Sequence, residues 1–363
     1  MLETKLILEQ HARQYPIFKV QDAVKLLHQS EFGCAHLVEN EDRALERLRA
    51  ELELTRAGGP IFEQIGNNYY RLNLSAVETG VSAETLGRFF ILSSKVKRGT
   101  VDGFEVKIQH LKEWCRSSNV DFSEEDVENC MESLRQRKYS AISHSTAYRE
   151  AYHPAYRVVD GVFKDYFEVF KKIDVLLGVH SKVTMAIDGN CGSGKSTLAG
   201  LIQSVYKCNL FKMDDFYVPL ERKTEERLRT PGGNVDYERF ESEVMRPLAT
   251  SAEFSYSLFD CKRQALGEVY QVTPNRLNVI EGSYSMHPQL IDYYNFKLFL
   301  TLDEAEQHRR ILNRNGEVVY KRFRDQWIPL ETLYFDAYKI KAKADLTINT
   351  TGLSNAYFDI DNI

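Results

Sequence analysis

Residues Val183 to Ala199, VTMAIDGNCGSGKSTLA, limit the possible folds of this chain more than any other stretch. The apolar run VTMAI reads as a buried strand, a glycine-rich turn follows, and a helix opens at Lys195. Gly189, Gly194, Lys195 and Ser196 complete the pattern G-x-x-x-x-G-K-[ST], which is a phosphate-binding P-loop. Gly189, Gly192 and Gly194 allow backbone angles closed to other residues. The N–H groups from Gly189 through Asn190, Cys191, Ser193 and on to Thr197 can therefore converge on phosphates at the positive end of the helix. In such a loop the Lys195 ammonium sits on the β- and γ-phosphates and the Ser196 hydroxyl on Mg²⁺, so ATP and Mg²⁺ are the expected cofactors.

The residues after the loop repeat one arrangement. CNLFKMDDFYVP reads as a second buried strand ending in Asp214 and Asp215, and LNVIEGSY as a third ending at Glu281. KLFLTLD is a fourth strand and ADLTINT a fifth, with helical segments between them. Strands alternating with helices predict an α/β fold of P-loop NTPase type, a doubly wound parallel sheet. The ligand crevice of such a sheet lies at the carboxyl ends of its strands, so these acids are expected to face the phosphates. Asp215 is expected to turn away from Asp214, since strand side chains alternate, and is a candidate to hold Mg²⁺ through water. Between strands four and five lie Arg309, Arg310, Arg314, Arg322 and Arg324. They read as a lid that neutralises a transferring phosphoryl group or as a solvated basic helix face.

Residues 1–178 read as a mostly α-helical domain in front of the P-loop domain of residues 179–363. Leu45, Leu48 and Leu52 form one stripe after a cap at Asn40, and Ile108, Leu111 and Cys115 another. Ser123 caps a helix carrying Val127, Cys130, Met131 and Leu134, and Phe163, Tyr166, Phe167 and Phe170 repeat that spacing. The one strand-like stretch is NNYYRLNL, Asn67 to Leu74. HSTAYREAYHPAYR, from His144 to Arg157, is dense in histidine, tyrosine and arginine. Two readings lead. Tyr148, Tyr152 and Tyr156 form a helix stripe, or the segment joins Glu31, His36 and Arg71 in a polar pocket for an anionic ligand. A metal site is a third reading, without i, i+4 histidines to support it.

Composition narrows the partners. At 363 residues two domains are expected, and 43% hydrophobic with 27% charged residues are the proportions of a globular protein without a membrane span. The start, MLETKLILEQ, has an acid at Glu3 and no cleavable signal layout. The six cysteines (Cys34, Cys115, Cys130, Cys191, Cys208, Cys261) contain no CxxC pair, so reduced thiols in a cytoplasm are expected. A formal net charge of −5 offers no basic field for nucleic acid. The expected partner is a small-molecule acceptor, with a homo-oligomer left open.

From about Val183 to Thr350 the chain resembles the uridine kinase and phosphoribulokinase group of P-loop kinases, through GNCGSGKS, MDDFY, GGNVDYERF, FDCKRQ, VIEGSY and the arginine-rich segment, in that order. The resemblance implies a kinase that phosphorylates a hydroxyl of a small metabolite. It implies Asp214 as the base or orienter of the acceptor hydroxyl with Tyr217 beside it, Asp236 on ribose hydroxyls, Glu281 near Mg²⁺, and Arg310 and Arg314 in the lid. Where pyrimidine kinases place a tyrosine and a histidine about the base, this sequence has Phe259 and Gln264. A nucleoside is the acceptor implied first; glycerate, pantothenate, a phosphosugar, or a nucleotide-gated regulatory role stay open.

Overall fold

The computed structural model describes residues 2–35, 37–53, 58–118, 120–250, 252–260 and 263–353. His36 and Cys261, singled out above, lie outside the described residues. The chain divides into two compact units that meet in sequence at Lys172 and Ile173. Among the described residues no helix is long and apolar enough to cross a membrane.

The first unit opens with three helices, α1 (Leu2–Gln14), α2 (Val20–Phe32) and α3 (Glu41–Leu52). The Asn40 side chain caps α3 by accepting from the Arg43 N–H. Strands β1 (Phe62–Gly66) and β2 (Tyr69–Asn73) follow, then α4 (Ala83–Lys95), α5 (Val101–Ser117), α6 (Glu124–Gln136) and α7 (Thr146–Tyr152). Strand β3 (Tyr156–Asp160) and α8 (Gly161–Asp165) complete the series, and α9 (Phe167–Val179) carries the chain across the boundary into the second unit. The strands form one antiparallel sheet in the order β1-β2-β3. Only β2 was legible in the sequence. Asn67 and Asn68 both sit at positive φ (52° and 59°) and turn β1 into β2, a conformation asparagine tolerates better than most residues.

The tyrosine stripe is broken. Tyr148 and Tyr152 lie on α7, but His153 adopts a left-handed conformation (φ 44°) ahead of Pro154, and Tyr156 pairs with Asn73 in the sheet. Proline disfavours the helical conformation in the residue before it, which ends the helix there. The aromatic stripe of residues 163–170 is also split, at Tyr166 between α8 and α9, yet all four of its members are buried. Phe163 stacks on Phe89 with ring centroids 4.4 Å apart, and Phe170 meets Phe89 edge-on at 4.8 Å.

In the second unit β4 (Val183–Gly189) runs into the P-loop and α10 (Lys195–Val205), and β5 (Cys208–Lys212) follows. After short helices α11 (Glu225–Arg229), α12 (Tyr237–Phe240) and α13 (Arg246–Thr250), strands β6 (Phe254–Asp260) and β7 (Ala265–Val272) form an antiparallel hairpin of their own. Then come β8 (Leu277–Glu281), β9 (Phe296–Thr301), α14 (Glu304–Arg322), α15 (Ile328–Tyr338), α16 (Ile340–Lys343) and β10 (Leu346–Asn349).

The five expected strands form one parallel sheet in the order β10-β9-β4-β8-β5, an α/β fold of P-loop NTPase type. The P-loop strand is central and buried along its whole length. The β6–β7 hairpin was not expected, because β7 turns Leu266, Val269 and Tyr270 to solvent and so lacks a core-facing alternation.

The end of β4 is tightly enclosed. Gly189 has φ 136°, and a methyl group on it would collide with the backbone carbonyl of Leu300 on β9. Gly189→Ala is expected to lower the stability of this unit by roughly 2 kcal/mol or more, read as a shift of the urea unfolding midpoint. A loss under about 0.5 kcal/mol, the range of an unconstrained surface site, would mean that β9 yields instead.

Candidate active site

Three glycines shape the loop: Gly189 (φ 136°), Gly192 (φ 78°) and Gly194 (φ 92°), the last serving as N-cap of α10. The first N–H groups of a helix have no partner within it, so the start of α10 offers donors to an anion. The Lys195 ammonium folds back on the loop and donates to the carbonyls of Gly189 (2.7 Å) and Asn190 (3.0 Å). The Ser196 hydroxyl donates to Glu281, at 3.2 and 3.3 Å from its two oxygens. Glu281 ends β8 level with Ile187 on β4 and Lys212 on β5, which is why a strand-end acid arrives beside the loop. Burial pushes its carboxyl up, against the attraction of Lys195, while Asp214 raises it further.

Lys195, Ser196, Asp214, Glu281 and Arg314 share one cleft of about 400 Å³. Asp214 is exposed to the cleft, and its Oδ1 accepts from the Tyr217 hydroxyl at 3.0 Å. Asp215 does not line the cleft, though not for the reason of strand alternation. Strand β5 stops at Lys212, and Met213–Phe216 is a 3₁₀ turn that sends the two carboxylates apart. The Asp215 carboxyl is pushed up by burial.

Several expected residues lie elsewhere. Arg310 donates to the Thr350 carbonyl (2.6 Å), the Glu306 carboxylate (2.7 Å) and the Gly192 carbonyl (3.4 Å), so its guanidinium is spent tying α14 to the loop and to the end of β10. Asp236 is buried, caps α12 through the Arg239 N–H and pairs with Arg222 at 2.6 Å. Phe259 is buried on β6, and Gln264 sits in the hairpin turn at φ 52°, accepting from Lys223. None of these four lines the cleft, and neither do Gly189, Asn190 or Ser193 of the loop itself. The five described cysteines are free thiols, and burial pushes the Cys191 thiol far up.

Two carboxylates were missed. Glu331, in the first turn of α15, lines the cleft, accepts from the P-loop N–H of Cys191 (2.9 Å) and from the Ser283 hydroxyl (2.5 Å), and is buried. Its sequence signal was faint: an acid just after Pro329, which marks a helix start. Asp188, the last side chain before the loop, is fully buried and accepts from the Gly189 N–H (2.7 Å), the Met286 N–H (2.9 Å) and the Tyr334 hydroxyl (2.9 Å).

Mg²⁺ fits the donor set at Ser196. A hydroxyl oxygen with one close carboxylate, and a second carboxylate on Asp214 in the same cleft, are hard oxygen ligands of the kind Mg²⁺ takes alongside retained water. No group of three or more His, Cys, Asp or Glu side chains suited to a metal occurs among the described residues, and this holds for the histidine-rich segment of the first unit.

No family model matches the chain, and no curated protein matches it. Solved structures do, over about half of the chain. It is similar to a possible uridine kinase from Bacillus stearothermophilus, at 18% identity over 52% of this chain and 99% of that one, with a TM-score of 0.41. It is similar to a putative fructose transport system kinase from Silicibacter sp., at 22% identity over 46% and 89%, TM-score 0.38. An uncharacterized protein from Eubacterium ventriosum is 15% identical over 50% and 92%, TM-score 0.29. At these scores the likenesses carry no argument; the fold assignment rests on the strand order and the loop.

Burial pushes the Asp188 carboxyl up to about 6, against the hydrogen bonds from Met286 and Gly189 and the attraction of Lys195. Below its unfolded pKa of about 4, Asp188 is protonated folded or unfolded and contributes no slope. Between there and about 6 the folded state keeps a proton that the unfolded state has lost, so stability falls as pH rises, by about 3 kcal/mol in all. Asp188→Asn keeps the size but sets an amide N–H against donors, a cost of roughly 1–3 kcal/mol. The variant is expected to be less stable than the parent at pH 4, with the gap narrowing towards pH 6.5 in urea titrations. A gap independent of pH would show that Asp188 bears no raised pKa.

Proposed function

We propose that the chain is an ATP- and Mg²⁺-dependent phosphotransferase that phosphorylates a hydroxyl group of a small metabolite, with a nucleoside or related sugar alcohol the first acceptor to test. The single observation that carries this reading is the cleft itself: an exposed carboxylate, Asp214, shares it with the P-loop Lys195 and Ser196 and with Glu281. A loop that only sensed nucleotide would have no need of a further exposed carboxylate in the cleft, oriented by the Tyr217 hydroxyl.

In the proposed reaction the Lys195 ammonium exchanges the carbonyls of Gly189 and Asn190 for phosphate oxygens, and the N–H groups at the start of α10 complete the cradle. Bound Mg²⁺ would supply positive charge against the phosphates, with Ser196 and Glu281 to hold it. The acceptor oxygen attacks the γ-phosphorus, the bond from that phosphorus to the bridging oxygen of ADP breaks, and the hydroxyl proton passes to Asp214. The Tyr217 hydroxyl, donating to Asp214 Oδ1, orients that carboxylate. Arg314 reaches the same cleft from α14 and offsets charge on the transferring group.

Glycerate, pantothenate and phosphosugars remain acceptors for the same chemistry, and the positions of Asp236, Phe259 and Gln264 outside the cleft lend no support to a pyrimidine over these. ADP release measured across an acceptor panel separates the readings, since a nucleotide-gated regulator would show no acceptor-stimulated turnover. Lys195→Ala is expected to abolish turnover with the fold retained by circular dichroism. Asp214→Asn is expected to cut kcat by about 10²- to 10⁴-fold with little change in ATP affinity, and Asp215→Asn by much less. A larger loss at Asp215 would reverse the assignment of the base.

A further inference from the structure

The first unit holds a cavity of about 400 Å³ whose walls carry Lys25 (α2), Arg47 (α3), Arg149 (α7) and Arg157 (β3) against a single carboxylate, Glu51. That carboxylate is bonded to Arg157 at 2.8 Å. Three positive charges in excess therefore face one small space.

Lys25 is the informative member. Its ammonium donates to the Ile142 carbonyl at 2.6 Å, and among the described residues no carboxylate lies within ion-pair distance of it. Burial pushes its pKa down to about 8, Arg71 adds repulsion, and Asp22 opposes both. Asp22 is fully buried and committed elsewhere: it accepts from His144 Nδ1 (2.8 Å), from the Ser145 N–H (3.0 Å) and from the Ser145 hydroxyl (2.7 Å). The other ring nitrogen of His144 meets the Tyr156 hydroxyl at 2.6 Å. Burial pushes His144 down to about 4, so it is neutral, with Nδ1–H donating to Asp22 and Nε2 accepting from Tyr156. His144 and Tyr156 line the cavity as a fixed, uncharged wall, and of the cations beside them Arg157 is matched by Glu51 while Lys25, Arg47 and Arg149 have no carboxylate in ion-pair distance among the described residues.

We propose that this cavity is a binding site for a small phosphomonoester, with Lys25 at its inner end and the guanidinium groups of Arg47 and Arg149 at its rim. A dianion matches the excess charge better than a monocarboxylate, and guanidinium forks suit phosphate oxygens. The volume falls in the range of small-molecule sites. The site lies wholly in the first unit and does not depend on the reaction proposed for the second. Arg149 and Arg157 of the segment singled out in the sequence belong to it, while Arg71 lines a separate cleft of about 880 Å³ with Tyr148, Tyr152 and Tyr156, and Glu31 lines neither and pairs with Lys107 at 2.9 Å.

The probe is pyridoxal 5′-phosphate, whose aldehyde condenses with an unprotonated lysine amine, with release of water, to an imine that borohydride fixes. The full chain is labelled at pH 8 and the modified lysines are mapped by peptide mass spectrometry. Lys25 is expected to label at least tenfold faster than exposed lysines, and tenfold faster with pyridoxal phosphate than with pyridoxal. Millimolar glycerol phosphate is expected to protect it, and inorganic phosphate to protect it less if an esterified ligand is the natural one; equal protection would point to free phosphate. Mapping distinguishes this site from Lys195, the other phosphate-facing lysine. Arg149→Gln, at an exposed position that leaves the fold alone, is expected to slow labelling severalfold. An unlabelled Lys25, equal rates with pyridoxal and its phosphate, absence of protection by either phosphate, or an Arg149→Gln variant that labels and is protected as the parent would each overturn the proposal.

Discussion

The second unit depends on one buried carboxylate. Asp188 joins three pieces of chain distant in sequence: the first amide of the P-loop, the Met286 amide beyond β8, and the Tyr334 hydroxyl on α15. A charge taken out of water is costly, and three donors at hydrogen-bond distance recover part of that cost. What the arrangement secures is position. The end of the central strand, the turn after β8 and the helix that brings Glu331 to the cleft are fixed relative to one another by hydrogen bonds to the same buried carboxylate. Tyr334 is fully buried, so its hydroxyl would itself be an unmet donor without Asp188.

From that anchor the chemistry of the loop follows. Gly189 can pass against Leu300 of β9 only because it has no side chain, and Lys195 is held over the carbonyls of Gly189 and Asn190. Glu331 accepts from the Cys191 N–H. A phosphate entering the loop meets the N–H groups at the start of α10 already aimed, and displaces protein acceptors from Lys195 and from the Cys191 N–H.

The sequence made this unit legible where local pattern and final structure agree. The P-loop and all five strands are fixed by short-range features: glycine spacing, apolar runs and the strand-end acids. The hairpin β6–β7 escaped because its second strand faces solvent, which erases the alternation that marks a strand. Asp188 and Glu331 escaped for a different reason. An acid is recognisable as structural only through its partners, and apart from the adjacent Gly189 N–H theirs lie 48 or more residues away in the chain. Arg310 was legible as a basic residue of the lid segment but not in its direction, because the carbonyls that hold it, those of Thr350 and Gly192, are distant in the chain. Arg310 and Arg314 both lie on the regular first half of α14, before its interruption at Gly316 (φ 72°), yet one is drawn to Thr350 and the other lines the cleft.

The two units use positive charge in opposite ways. In the second, Lys195 and Arg314 share their cleft with Asp214, Glu281 and Glu331, a mixed set suited to a ligand that brings anions and a cation together. In the first, four basic side chains face a cavity with one carboxylate already bonded to an arginine, and the network of Asp22, His144 and Tyr156 behind them is satisfied within itself. Desolvating an ammonium beside a neutral carbonyl is unfavourable in the empty protein, and the lowered pKa of Lys25 expresses that cost. A fold keeps such a group when something else repays it, and a dianion in that cavity is the simplest partner that would.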